Sequence, residues 1–146
     1  MNNSHQKIIP MNITALREAY INKSLTPETV IEHCLHKINS SKASNAWISV
    51  LDKVQLNHYI DNLKHKRIED SPLWGIPFAI KDNINLKDIA TTAACPDFAY
   101  TPTEHAFVVK QLINAGAIPL GKTNLDQFAT GLVGTRSPHG AVTNSF

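Results

Sequence analysis

The sequence predicts an α/β fold: a helical N-terminal region followed by a βαβ unit that belongs to an incomplete mixed sheet. Two observations predict it. Through the first 70 residues, apolar side chains recur mostly at spacings of three and four, the period of a helix with one buried face. From Pro77 onward, two short apolar runs, 77–80 and 117–120, bracket a long irregular loop and one helical stretch. That order favours parallel pairing through a crossover.

Residues 1–10 read as a flexible arm. Asn12 to Ile21 form a short helix with Ile13, Leu16 and Tyr20 on one face. Thr26-Pro27-Glu28 marks the clearest helix start: Thr26 caps free N–H groups, Pro27 has none to satisfy, and Glu28 places charge at the positive end of the dipole. Val30, Ile31, Cys34, Leu35 and Ile38 then make an apolar stripe. Residues 46–50 suit a short strand or buried extended piece, with Trp47 packing. A helix over 52–66 turns Leu56, Tyr59, Ile60 and Leu63 inward.

Pro77 to Ile80 form a buried strand with proline at its first position. Residues 85–102 are irregular, and a loop of that length often belongs to a functional site. A helix from Thr103 or Glu104 to Ala115 buries Ala106, Val109, Leu112 and Ile113, and Gly116 ends it. Ala117 to Leu120 form another strand, and Asn124 to Phe128 one or two helical turns. Two strands are a poor complete sheet, a parallel sheet needs cover on both faces, and the chain stops at Phe146 without a closing element. The expectation is an incomplete fold that self-associates through exposed apolar surface.

Composition narrows the function classes. Apolar content of 42% and charged content of 18% describe a globular chain. A formal net charge of +2 without clustering gives no nucleic-acid footprint. The one basic run, Lys64 to Arg67, meets Glu69 and Asp70 and reads as a solvated turn. Two cysteines without CxxC spacing argue against zinc or dithiol chemistry, and His33 and His36 lack a third ligand. No signal peptide or 18-residue apolar run is present. The expected setting is cytoplasmic, with no membrane, metal or cofactor.

Lys81 stands out among groups that can carry chemistry. It ends the strand Phe78-Ala79-Ile80, the position where α/β folds place their sites. Burial there would lower its pKa and make it a base; the alternative is a surface lysine with a packed stem. Asp82 and Asn83 read as structural groups beside it, Asp82 as a hydrogen-bond acceptor. Gly121-Lys122-Thr123 lacks the glycine-rich loop of a nucleotide site, so Lys122 reads as a structural or second-site group at a strand end. Asn124 and Asp126 read as helix-start residues. Cys95 reads as a packed loop cysteine, and Ser137 with His139 as parts of a turn.

The stretches Pro72-Leu73-Trp74-Gly75-Ile76-Pro77-Phe78-Ala79-Ile80-Lys81-Asp82-Asn83 and Gly121-Lys122-Thr123-Asn124-Leu125-Asp126-Gln127-Phe128-Ala129, in this order, resemble the amidase-signature family. Thr91 to Pro96, Phe98 to Pro102 and Ala129 to Pro138 look most like its allophanate hydrolase branch. The resemblance implies a partial amidase domain over 11–146 and a Ser–Ser–Lys triad in which Lys81 is the lysine. It implies that Gly131, Leu132, Val133 and Gly134 line the substrate cavity. The serine- and glycine-rich segment carrying the family's nucleophile is absent from the 146 residues, so the isolated chain is expected to be inactive. A full-length relative would hydrolyse a small amide or ureido substrate, allophanate, to ammonia and carbon dioxide, in functional link with urea carboxylase. The alternatives are another amidase, such as a general amidase or an amidotransferase-type subunit, or a non-catalytic interaction fragment.

Overall fold

The computed structural model describes residues 9–144. The elements run α1 (Ile13–Ile21), α2 (Pro27–Ser40), β1 (Trp47–Val50), α3 (Lys53–Leu63), β2 (Pro77–Lys81), α4 (Phe107–Asn114) and β3 (Ile118–Thr123). The arm expected over 1–10 lies outside the described residues, except for Ile9 and Pro10, which are half-buried.

Local chemistry sets the helix starts. The Asn12 side chain accepts the Ala15 N–H at 2.8 Å, and Thr26 caps α2 through the Thr29 N–H at 3.3 Å with Pro27 at the first helical position. Asp52 and Gln55 form a reciprocal capping box on α3, each side chain accepting the other's backbone N–H. The buried faces of the three helices supply Leu16, Tyr20, Val30, Ile31, Cys34, Ile38, Leu56, Ile60 and Leu63 to one core. Ile76, Ile80, Leu86, Val109, Ile118 and Leu120 complete it from the βαβ half.

The sheet has three strands in the order β1-β3-β2, with β2 parallel and β1 antiparallel to β3. The parallel pairing matches the sequence reading, and β1 adds the third strand. The β2–β3 register is broken. Phe78 lies opposite Pro119 but Ile80 opposite Lys122, so β3 carries one extra residue there. Neighbouring residues in register share a face. In an unbroken ladder, Lys122 would lie beside Lys81. The bulge moves it beside Ile80 and onto the buried face. Glycine at 121 permits this, because a Cβ at that position would collide with the Ser49 carbonyl oxygen of β1.

Three boundaries differ from the sequence reading. The third helix ends at Leu63 and a turn follows, with Lys66 N–H donating to the Leu63 carbonyl at 2.9 Å. The fourth starts at Phe107 rather than at 103 or 104, because Ala106 is extended and donates its N–H to the Asn85 carbonyl across the loop at 3.0 Å. Of its expected core residues, Val109 is buried, while Ala106, Leu112 and Ile113 are half-buried. After β3, only a single 3-10 turn, Gln127–Ala129, replaces the expected α-helical turns. Among the described residues, no helix is long and apolar enough to cross a membrane.

Adding one methyl group at Gly121 forces β1 and β3 apart. Gly121→Ala is expected to destabilise the chain by about 1–3 kcal/mol. Urea denaturation of the two proteins measures the difference, and equal midpoints would show that the strands do not depend on this contact.

Candidate functional site

Residues Ala79, Lys81 and Asn83 alternate along β2 on its open face and are exposed, while Ile80 and Asp82 are buried on the other. Of the two readings of Lys81, the structure gives the surface one: the side chain is exposed and enters an open cleft. The bulge gives the buried position to the second lysine instead. Asn83 sits in the turn closed by the Ile84 N–H donating to the Lys81 carbonyl at 2.9 Å.

The cleft has a volume of about 620 Å³ and is lined by Lys81, Asn124–Asp126, Gly131–Gly134 and 142–144. The structure thus brings Lys81 together with the 131–134 segment singled out in the sequence. Asp126 holds that segment in shape. Its carboxylate is buried and accepts backbone N–H groups from Arg136 at 2.7 Å, Val133 at 2.9 Å and Gly134 at 3.0 Å. The Arg136 N–H above all, then that of Val133, holds its pKa down at about 2. Asp126 is thus the anchor of a loop and not the helix cap expected of it. A Cβ on Gly131 would lie 2.5 Å from the same carboxylate, so only glycine lets the chain wrap this closely. Leu132 and Val133 turn their apolar side chains outward.

Asn124 ties the segment to the helical half. Its Nδ2 donates to the carbonyls of Asn45 at 2.9 Å and Gly140 at 3.1 Å, and its Oδ1 accepts from Leu125 N–H and from the Ser137 hydroxyl. Ser137 is therefore engaged in a turn, and it meets His139 through the backbone N–H rather than the imidazole.

Beneath the cleft lies a buried ion pair, Lys122 Nζ to Asp82 Oδ1 at 3.0 Å, with both side chains fully buried. Lys122 also donates to the Thr91 hydroxyl at 3.1 Å and the Ala90 carbonyl at 3.4 Å. The other oxygen of Asp82 accepts the Thr92 N–H at 3.1 Å and the Thr92 hydroxyl. Such burial rules out a phosphate-binding role for Lys122. From Thr92 the chain enters two left-handed residues, Ala93 (φ 51°) and Ala94 (φ 58°), whose carbonyls accept from Phe128 N–H at 2.9 Å and from the Gln127 side chain at 3.1 Å. Phe128 and Ala129 are left-handed as well. Four strained non-glycine residues facing one another need surroundings that over-determine them. Thr91, Thr92 and Gln127 escaped the residue-by-residue reading. The available signal was a pair of adjacent threonines inside a long irregular loop.

Among the residues lining the cleft, Lys81 and Asp126 are ionisable. The oxygens of Asp126 are engaged by the loop, which leaves Lys81 as the ionisable side chain that faces the cleft. Among the described residues, no cluster of three or more histidine, cysteine, aspartate or glutamate side chains could hold a metal.

Residues 29–146 match the amidase family. The chain is 51% identical over 118 residues to urea amidolyase of Saccharomyces cerevisiae, covering 80% of this chain and 6% of that protein. It is 38% identical over 131 residues to a glutamyl-tRNA(Gln) amidotransferase subunit of Lawsonia intracellularis, covering 84% of this chain and 26% of that protein. The solved structure of Kluyveromyces lactis allophanate hydrolase superposes with a TM-score of 0.76 at 44% identity, covering 88% of this chain and 21% of that one. The chain therefore spans a small fraction of the length of the relatives it matches.

The Asp126 loop should respond to acid. Its carboxyl binds a proton near pH 3.8 when unfolded and at about pH 2 when folded. Its contribution is full above the first value and is lost as pH falls through the second. Protection of the Val133, Gly134 and Arg136 amides, relative to their intrinsic exchange rates at each pH, is expected to fall between about pH 4 and pH 2, and Asp126→Asn is expected to remove that acid step. Exchange that is the same in both proteins throughout the titration would show that the carboxylate does not hold the loop.

Proposed function

We propose, from the premise that the chain belongs to the amidase family, that it supplies the lysine-bearing part of an allophanate-hydrolysing amidase domain. The observation that carries this reading is the position of Lys81 at the end of β2, facing the 131–134 segment across a cleft. The 51% identity to a urea amidolyase, against 38% to an amidotransferase subunit, favours allophanate over the glutamine-linked alternative.

In this reading residues 11–146 are the opening part of the domain. Lys81 takes a proton, through a bridging serine, from the serine that attacks the substrate carbonyl. Both serines belong to a segment outside the 146 residues, and that segment would cover Lys81 and supply the dry surroundings it lacks here. The attacking oxygen forms an acyl-enzyme as ammonia leaves with a returned proton, and water then cleaves the ester. The 131–134 segment lines the substrate pocket, and Asp126 keeps it folded. The activity needs no cofactor from these residues, sits in the cytoplasm and consumes the product of a urea carboxylase.

The test is ammonia release by the full-length protein carrying this sequence, with allophanate compared against a simple aliphatic amide. Allophanate is expected to be the preferred substrate, and Lys81→Ala to reduce its turnover at least about 100-fold. Undiminished turnover in Lys81→Ala, or preference for the aliphatic amide, would overturn the proposal.

A further inference from the structure

We propose that the buried Asp82–Lys122 pair is a positioning device for Lys81 and for the cleft wall opposite it. The inference rests on the reading that Lys81 transfers the proton. Lys122 donates to Thr91 Oγ1 and to the Ala90 carbonyl, and its ammonium lies 3.0 Å from Asp82 Oδ1 as an ion pair. Asp82 is held through both its backbone and its carboxylate. Its N–H donates to the Thr123 carbonyl at 3.1 Å, its carbonyl accepts from Ala93 N–H at 3.1 Å, and its carboxylate holds Thr92 and Lys122. The residue directly after Lys81 is thereby fixed in both backbone and side chain, which fixes the point from which Lys81 leaves the sheet.

The same pair reaches the other wall. Through Thr91 and Thr92 it holds the left-handed Ala93 and Ala94, whose carbonyls receive Phe128 and Gln127. Those residues continue from Asp126, which binds 133, 134 and 136. Lys81 and the 131–134 segment are thus located by one connected set of bonds with the ion pair at its centre. A buried ion pair is poor evidence for stability, because apolar side chains of similar size often serve as well. Its directional bonds explain what an apolar pair could not supply, the placement of two loops and a strand end at fixed distances.

The test uses the full-length protein and four variants: Lys122→Met, the double variant Asp82→Leu with Lys122→Met, Thr92→Val, and Lys81→Ala as control. Lys122→Met, which leaves Asp82 unpaired, is expected to lower the melting temperature and turnover together. The double variant is expected to regain melting temperature while kcat stays about 100-fold low and KM moves far less, since misplacement by an ångström has that effect on rate. Thr92→Val keeps both charges and the fold while cutting the hydroxyl link, and is expected to lower kcat about tenfold. If the double variant recovers kcat along with stability, or folded Thr92→Val keeps full kcat, the pair is only structural and the inference fails. If Lys81→Ala retains turnover, the proposed function fails instead, so the two failures are separable.

Discussion

One extra residue in β3 divides the labour between two lysines. Without the bulge at Gly121, the parallel ladder would place Lys122 beside Lys81 on the open face, two like charges side by side. The bulge turns Lys122 under the sheet next to Ile80, within reach of Asp82, and leaves Lys81 alone in the cleft. The close passage of Ser49 at Gly121 makes this arrangement a joint property of all three strands. Strand pairing, the buried charge and the shape of the cleft therefore follow from one local irregularity.

Burying an ammonium and a carboxylate is expensive unless each finds partners for all its donors and acceptors. Here the partners come from a loop rather than from other strands. Thr91 and Thr92 deliver two hydroxyls and a backbone N–H, and the loop in return is held in a backbone conformation that Ala93 and Ala94 would not adopt unaided. The long segment between β2 and α4 has little regular structure, yet it is bonded across itself, Asn85 to Ala106, Asp88 to Pro102 and Thr91 to Tyr100. Irregular backbone of this kind is rigid because of specific side chains, not because of a repeating ladder.

This explains what was legible in the sequence and what was not. Helix starts at Asn12, Thr26 and Asp52 could be read because a cap is a contact within three residues. The parallel pairing of β2 and β3 followed from the order of apolar runs. The late start of α4 could not be read, since it depends on Ala106 bonding to Asn85, 21 positions away. Asp126 carried the composition of a helix cap, but its carboxylate is claimed by residues seven to ten positions ahead. The choice between a buried and an exposed Lys81 stayed open for a related reason. Alternation along β2 placed it correctly opposite Ile80, but which face is covered is decided by the helices and by the bulge, neither of which is encoded near Lys81.

The fate of Asp82 bears on how Lys81 can serve as a proton acceptor. A carboxylate directly beside a lysine in sequence invites the expectation of an ion pair, which would hold that lysine charged. Strand alternation prevents it: Asp82 projects to the buried side, where its charge is matched by Lys122 and its remaining lone pairs by Thr92. The pair thus does two things with one bond. It pairs the charge of the residue next to Lys81 in sequence, and it holds that charge on the buried side of the sheet. Lys81 is thus separated from its sequence neighbour and stands at the rim of a cleft whose one carboxylate, Asp126, is engaged by the loop, an arrangement compatible with the proposed role as a base.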